Sequence, residues 1–558
     1  MDNNKLAELL FPNVKDCSFY ENKYKERDLK EDAQVTRFAP SPTGFLHIGG
    51  LFSALVSFLV AKKSGGKFFL RLEDTDQERK VVGADKLLVS VLQKFGLQFD
   101  EGLDSIGQEF GDYGPYVQSE RMDIYKSYAK KLVEMGLAYP CFCGDEQAKE
   151  LEEMQAKDNT EKRGYYGKYA RCRNLTYAEI EEKINKGLPF AIRLKCQYKL
   201  GDRFKFKDKV KGEIEMDANI NDAVILKSNG LPPYNLAHAV DDHLMRTTVV
   251  IRGEDWLSAT SEHSQIFEAL NFAPIPYAHL PQLEKMDGTS RRKLSKRKDP
   301  EADASLFFKQ GYPKEAIIDY LMTLINSDFE IWRSKNRNVS YLDFDFKLNK
   351  VSKSGSLFDM VKLNDVSKNH IAYLSAEEVF NGIMGWANAY DQDFAKMIEN
   401  NEEKLKGVLS IDRGGDKPRK DIAKYSEVKD VFGYMFDDIY YSYNLNNFEF
   451  DFEKYNADLI KEVANHYLSI YNENDDKQEW FNRIKENIEV IGFASDMKVY
   501  KANPENYKGS VADYTTIIRV LLTSKKNTPD LSSIISLLGK EEMQKRFNFA
   551  LKLINNQQ

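Results

Sequence analysis

The run Arg37-Phe-Ala-Pro-Ser-Pro-Thr-Gly44-Phe-Leu-His47-Ile-Gly49-Gly50 sets three glycines and a histidine between a strand-like segment and a helical one. Glycine lets backbone come close to a ligand. The first N–H groups of a helix and its dipole favour anions, and His47 adds a hydrogen-bond donor. The chemistry implied is phosphate binding at a helix start, although the segment alone also fits a tight turn with an incidental histidine. A second concentration of function-bearing side chains is Ser290-Arg-Arg-Lys-Leu-Ser-Lys-Arg-Lys298, with six basic residues in positions 291–298. By charge alone this is a solvated basic loop or a nuclear-localisation-like patch. A third is Cys141-Phe-Cys143 with Cys172 following after 28 residues. In a reduced compartment such a group is a metal candidate; the alternative is three reduced, partly buried thiols.

The elements that must position these residues are legible in places. Val35–Ala39 has strand character, the Pro40–Gly44 stretch is a loop, and Leu51, Leu55, Phe58 and Leu59 recur at helical spacing between His47 and Lys63. Ser64-Gly-Gly66 stops that helix, and Lys67–Glu73 is a second strand. Strand, loop, helix and strand make the βαβ unit of a parallel sheet. Helical patterns continue over 85–135. Residues 141–215 read as an inserted subdomain, with a helix over Glu146–Lys157 and a β-like run Phe190–Leu194. The apolar runs Ala223–Leu226 and Thr247–Ile251 fit buried parallel strands. From about 305 the chain is mostly helical and richly charged, as in Pro313–Asn326 and Asp451–Tyr471, with a turn-rich break over Asp412–Lys420.

Size and composition bound the rest. A chain of 558 residues suggests roughly two to four domains. With 42% hydrophobic and 30% charged residues it has ordinary globular composition, which excludes a linker-dominated or collagen-like protein. Five cysteines exclude a disulfide scaffold. The N-terminus lacks a signal-peptide pattern, and the most apolar run, Gly50–Ala61, is too short to span a bilayer. The expectation is a soluble cytosolic protein with no membrane partner. A net charge of −7 argues against nucleic-acid binding by bulk charge.

The two basic and glycine-containing motifs together carry a resemblance. His47-Ile-Gly-Gly50 resembles the His-Ile-Gly-His signature of class I aminoacyl-tRNA synthetases, with Gly50 in the last position, and Lys293-Leu-Ser-Lys296-Arg297 resembles their Lys-Met-Ser-Lys-Ser loop. Arg37-Phe-Ala-Pro-Ser-Pro-Thr-Gly44 is similar to the glutamyl-tRNA synthetase family in particular. The resemblance covers the chain from about 35 to its end and implies a Rossmann-like α/β catalytic domain with an insertion, followed by an α-helical anticodon-binding region of the bacterial type. The implied divisions are an N-terminal extension (1–34), catalytic halves (35–140 and 216–300), an inserted acceptor-binding subdomain (141–215), a stem-contact helical domain (301–370) and the anticodon-binding region (371–558).

The implied function is a glutamate--tRNA ligase. It uses ATP and Mg²⁺ to form glutamyl-adenylate and then transfers glutamate to the 3′ end of tRNA(Glu), with tRNA(Gln) as an open second acceptor. By the same resemblance His47, Lys293 and Lys296 are catalytic. Gly44, His47, Gly49, Gly50, Asp255, Leu283 and Lys296 bind ATP. Arg37, Tyr234 and Arg252 lie around the substrate's side-chain carboxylate, and Ser41 and Glu73 near its amino group. His238, which stands where the family often has Asn, is implied as a further glutamate-binding residue. Cys141, Cys143 and Cys172 resemble a zinc site; no histidine falls between 48 and 237, so Tyr169 is the nearest candidate for a fourth ligand. Arg413, Lys417, Arg419 and Lys420 are candidates for RNA phosphate contacts, and a monomer is expected. A small-molecule nucleotidylyltransferase and a non-catalytic tRNA-binding paralogue are the competing readings. The helical C-terminal half and the lysine loop count against the first, and intact His47 and Lys296 against the second.

Overall fold

The computed structural model describes residues 2–160 and 162–556. They form two compact units, one within residues 2–306 and 318–359 and one of residues 307–317 and 360–556.

In the first unit, Val35–Phe38 (β1) and Lys67–Leu70 (β2) are parallel neighbours joined through the helix Ile48–Ser64 (α1). All of β1 is buried. The helix is sheathed in apolar side chains and has Leu51, Ala54, Leu55, Val56 and Leu59 wholly inside. It ends where Gly65 takes φ 69°, the left-handed position that glycine adopts without strain. At Gly66 a side chain would collide with the Gln34 backbone, so the turn into β2 requires glycine there too.

Further along are Met122–Glu134 (α2), Ala138–Cys141 (β3), Ala191–Leu194 (β4), Val224–Leu226 (β5), Tyr234–Leu244 (α3), Val250–Gly253 (β6), Thr260–Ala269 (α4) and Tyr277–Leu280 (β7). Leu283–Asp287 (β8) and Ser290–Lys293 (β9) form an antiparallel hairpin. β6 and β7 are parallel. Thr248, two residues before β6, donates its N–H to Val35 O at 3.0 Å and accepts from Val35 N at 2.9 Å, tying that pair to the edge of β1. The segment predicted as a parallel strand at 223–226 is different. β5 pairs antiparallel with β4, which is itself antiparallel to β3. A short apolar run reports burial on both faces but not strand direction.

The first 24 residues contain two short helices, Asn3–Leu10 and Cys17–Lys23. Leu6, Ala7, Leu10, Phe11 and Tyr20 are buried. Glu21 accepts from Tyr128 Oη on α2 at 2.7 Å and lies 2.8 Å from His243 Nε2.

Apart from a pair of two-residue strands, Phe493–Ala494 and Gly509–Ser510, the described residues of the second unit form helices and connecting turns. Ala457–Ile470, Val511–Thr523 and Leu531–Asn555 surround one apolar core that includes Ile460, Val463, Ile517, Leu521 and Phe547. The Asp412–Lys420 break is irregular, as its composition predicts. Arg413 does not face outward there. Its guanidinium donates to the carbonyls of Ile371 (2.7 Å), Leu374 (3.0 Å) and Leu409 (2.5 Å), closing two helix ends. Arg419 pairs with Asp421 at 2.6 Å. Of the four predicted phosphate contacts, only Lys417 and Lys420 are exposed.

Candidate active site

The phosphate-type loop forms at the C-terminal end of β1, where ligand sites of parallel α/β sheets lie. His47 is the N-cap of α1, and its Nδ1 accepts from Gly49 N at 2.9 Å. With Nδ1 accepting, the ring proton is assigned to Nε2. Burial holds the imidazole below its ordinary range, so it is neutral at pH 7. Lys296 reaches the same loop. Its Nζ donates to Thr43 O at 3.2 Å and lies 4.5 Å above the Phe45 ring. Gly44 has φ 115°, and a Cβ there would stand 3.5 Å from Lys296 Nζ. At Gly49 a Cβ would come 3.1 Å from His47 Nδ1, closer than an ordinary contact. Gly50 has a different use: the space beside it is filled by Leu46 and Phe38, so it permits packing inside the protein.

The lysine loop is anchored at both ends. Asp299 accepts two guanidinium hydrogen bonds from Arg292, at 2.6 and 2.8 Å, and a backbone one from Ser295 at 2.7 Å. These contacts, with Arg292 foremost, hold its carboxyl well below the usual range. Lys293 Nζ pairs with Asp255 Oδ2 at 2.5 Å, and Asp255 also accepts from Gln282. Leu283 is buried at the start of β8, and its carbonyl accepts from Leu294 N at 2.9 Å. The structure thus brings Gly44, His47, Gly49, Lys293, Lys296 and Asp255 to one end of the sheet.

Beside this lies the predicted amino-acid pocket, built on a buried ionic hub that the sequence reading did not find. Asp242, on α3, has no exposed surface. It accepts from Arg37 Nε (3.1 Å), Arg37 Nη2 (3.3 Å), Arg71 Nη1 (2.8 Å) and Thr247 Oγ1 (3.0 Å). Burial opposes its charge, but Arg37 and Arg71 outweigh it and hold the carboxyl far down. Arg71 donates its other arm to Glu73 Oε1 at 2.9 Å. Burial, partly offset by Arg71 and Arg37, pushes the Glu73 carboxyl up. The neighbouring Asp241 takes Arg121 Nε (2.7 Å), Gln118 Nε2 (2.9 Å) and Tyr125 Oη (2.8 Å). The signal for this hub was present. An Asp-Asp pair inside the apolar helix Leu236–Leu244, and an arginine inside the strand-like Phe68-Phe-Leu-Arg71, both demand buried partners.

Tyr234 opens α3, with its ring 4.2 Å from that of Trp256 and stacked on His238 at 5.4 Å. Ser41 is exposed at the loop. His238, predicted to touch glutamate, is wholly buried behind Tyr234. Its Nδ1 lies 2.5 Å from Asp242 and its Nε2 3.1 Å from Tyr277 Oη. Burial takes its pKa down to about 4. Its contacts are therefore with the hub, with Tyr277 and with the Tyr234 ring. Arg252, on β6, is held by His279, His263, the Trp256 carbonyl and Thr260 at 3.0–3.2 Å.

In the inserted region, Cys141, Cys143 and Cys172 converge, with all three sulfurs within 4.8 Å of one another. Tyr169, expected as the nearest oxygen, is turned away and donates to Asp158 at 2.8 Å. Tyr165 occupies that place. Its Oη lies 3.5 Å from Cys141 Sγ and 3.4 Å from Cys143 Sγ, and it accepts from Cys172 N at 3.0 Å. A four-residue offset separates the two tyrosines, and spacing alone cannot choose between them.

A parallel sheet carrying a nucleotide-type loop and a lysine loop at one end is the architecture of a nucleotide-activating ligase. Residues 34–365 match the family model for the catalytic domain of class I tRNA synthetases (E and Q), and the chain belongs to that family. It is 45% identical over 554 residues to a glutamate--tRNA ligase of Clostridium perfringens strain SM101, covering 99% of this chain and 100% of that one. A glutamate--tRNA ligase of Acetivibrio thermocellus is 42% identical over 548 residues, which is 98% of this chain and 99% of that one. Among solved structures, a glutamate tRNA ligase from Elizabethkingia meningosepticum in complex with its amino acid superimposes with a TM-score of 0.72 at 26% identity, covering 94% of this chain and 99% of that chain. No helix among the described residues is long and apolar enough to cross a membrane.

Proposed function

We propose that this chain is a glutamate--tRNA ligase. The observation that carries the reading is the 45% identity over 99% of the chain to a protein of that name, and the convergence of His47 and Lys296 on one sheet end supports it. In the first step an α-carboxylate oxygen of glutamate attacks the α-phosphorus of ATP. A P–O bond forms and the bond to pyrophosphate breaks. Charge grows on the departing pyrophosphate, and the Lys296 ammonium, with Lys293 beside it, is placed to stabilise it. The Lys296 ammonium rests on the Thr43 carbonyl, which phosphate oxygens outcompete as an acceptor. Gly44 and Gly49 shape the helix start that faces the phosphates, with Gly50 packed against Leu46 and Phe38 behind it; Asp255 would lie towards the ribose and Leu283 under the adenine. In the second step a ribose hydroxyl of the terminal tRNA nucleotide attacks the acyl carbon and AMP leaves.

For the amino acid, Arg252 supplies the cationic charge for the side-chain carboxylate and Arg37, already paired with Asp242, its remaining N–H donors, with Tyr234 beside them, and Glu73 and Ser41 supply acceptors for the ammonium. Lysines, a histidine and backbone N–H groups are a donor set for phosphate oxygens, so Mg²⁺ would arrive on ATP rather than in a protein cage. The cysteine cluster fits a structural zinc. The 3.7 Å separation of Cys143 and Cys172 sulfurs matches the edge of a tetrahedron with bonds of about 2.3 Å, and Tyr165 Oη offers a fourth donor. Zinc there would brace the insertion and take no part in the reaction. The helical unit would read the anticodon through unstacked bases, with Lys417 and Lys420 on phosphates. Local cationic groups make tRNA affinity salt-sensitive despite the acidic total.

Aminoacylation of purified tRNA(Glu) and tRNA(Gln), with pyrophosphate exchange followed with and without tRNA, tests the reading. Glutamate-dependent charging of tRNA(Glu) is expected, and charging of tRNA(Gln) decides the acceptor range. Exchange with a different acid and no dependence on tRNA would overturn it in favour of a small-molecule nucleotidylyltransferase.

A further inference from the structure

Three buried arginines of the catalytic unit are neutralised by carboxylates. Arg37 and Arg71 meet Asp242, and Arg121 meets Asp241. Arg252 is as buried as these, at 5% exposure, yet among the described residues no carboxylate pairs with it. Its guanidinium is held by ring nitrogens. Nε donates to His279 Nε2 at 3.0 Å, and Nη1 lies 3.1 Å from His263 Nδ1. The remaining bonds go to Trp256 O at 3.2 Å and Thr260 Oγ1 at 3.1 Å, and the Tyr277 ring lies 4.6 Å beneath.

Each imidazole has an outer partner that fixes its tautomer. Asp208 Oδ2, 2.7 Å from His279 Nδ1, accepts the Nδ1–H hydrogen bond and leaves the Nε2 lone pair for Arg252. Asn235 Oδ1, 2.9 Å from His263 Nε2, does the same on the other side. Asn235 is itself oriented, because its amide N–H₂ is committed to Glu262. Burial, the leading cause, holds both rings below the ordinary histidine range. Neutral acceptors satisfy the geometry of a guanidinium without cancelling its charge, whereas a carboxylate in either place would do both.

We propose that His263 and His279 are positioning residues that hold Arg252 through neutral ring nitrogens, so that its positive charge is reserved for a carboxylate of the amino-acid substrate. This rests on the reading of Arg252 as a group that meets a substrate carboxylate, and it adds the reason that pocket prefers an anionic side chain. Asn235 and Asp208 set the tautomers behind them.

The test compares near-isosteres that differ in charge. His263→Asn keeps a neutral acceptor near the Nδ1 position, and His263→Asp puts a charged one there. KM for glutamate and KM for ATP are measured in aminoacylation with the full-length enzyme, alongside Arg252→Gln. H263D is expected to raise the glutamate KM about 10- to 100-fold relative to H263N, with the ATP KM unchanged, the loss typical of one charge-assisted contact. Equal glutamate KM values for H263D and H263N, with R252Q still strongly impaired, overturn the role of the imidazoles and leave the Arg252 reading standing. An unimpaired R252Q overturns that reading as well. Should H263D not fold, His279→Gln against His279→Glu carries the same contrast at the other ring: a glutamate KM raised only by the charged variant supports the proposal, and equal values overturn it.

Discussion

Replacing Asp242 by Asn removes one charge and almost no volume from the centre of the catalytic unit. Two guanidinium groups are then left in a space with no exposed surface on Asp242 or Arg71 and 3% on Arg37. Both sit about 3 Å from the lost charge. Removing one partner of a buried pair costs about 3–5 kcal/mol, because the other charge stays desolvated. Here Arg37 loses its carboxylate partner while Arg71 keeps Glu73 at 2.9 Å, and the amide oxygen retains part of the hydrogen bonding, so the lower part of that range applies. Hydrogen exchange reads the effect unit by unit. Amides of β1 should lose protection by about two to three orders of magnitude, while those of Val511–Thr523 in the helical unit stay unchanged. The pH dependence carries an independent check. The Asp242 carboxyl is held far below its unfolded value of about 3.9, so its contribution is complete above that value and is lost only as pH falls through the folded one. The difference between wild type and D242N is therefore flat from pH 8 to 5. Over the same range both proteins weaken below about pH 6.5, because His238, at about 4 when folded, must stay neutral while the unfolded chain takes up a proton. A D242N cost below about 1 kcal/mol, or a difference that changes between pH 8 and 5, would refute the hub as an electrostatic support.

Lys296→Ala should lower kcat by about two to three orders of magnitude with little change in glutamate KM; steady-state aminoacylation measures both, and an equal loss in glutamate KM would contradict a leaving-group role. Arg413→Ala should destabilise the helical unit by about 1–3 kcal/mol, because three helix-end carbonyls lose their donor, and should leave the salt slope of tRNA binding unchanged; calorimetric melting and binding titrations at several salt concentrations check this. Tyr165→Phe should weaken zinc retention against a chelator while Tyr169→Phe leaves it unaltered, as read by metal content after dialysis; equal retention would remove Tyr165 from the ligand set.

The helix from 48 to 64 was readable because it carries its own punctuation: a turn loop in front, apolar residues at helical spacing, and Gly65 where the chain turns left-handed. The signature residues were readable for the same reason, since each motif is contiguous. What failed to appear was long-range. Asp242 collects partners from Arg37, Arg71 and Thr247, and nothing local in any of those segments names the others. His263 and His279 sit 16 positions apart, in a helix and a strand, and meet only through Arg252. Strand direction at 224–226 and the choice of Tyr165 over Tyr169 were lost because burial pattern and spacing do not encode orientation. The acidic total was uninformative about partners, since charge acts within a Debye length and not as a sum over the chain.

The clamp between Arg292 and Asp299 has a kinetic consequence. Two parallel hydrogen bonds and the Ser295 amide pin the base of the lysine loop, so the segment that carries Lys296 is a short arc on fixed ends. A free loop would lose chain entropy each time a polyphosphate bound, at roughly 1–2 kcal/mol per backbone residue immobilised. In this molecule that ordering is completed during folding, so a polyphosphate would meet a loop whose base is already held in place.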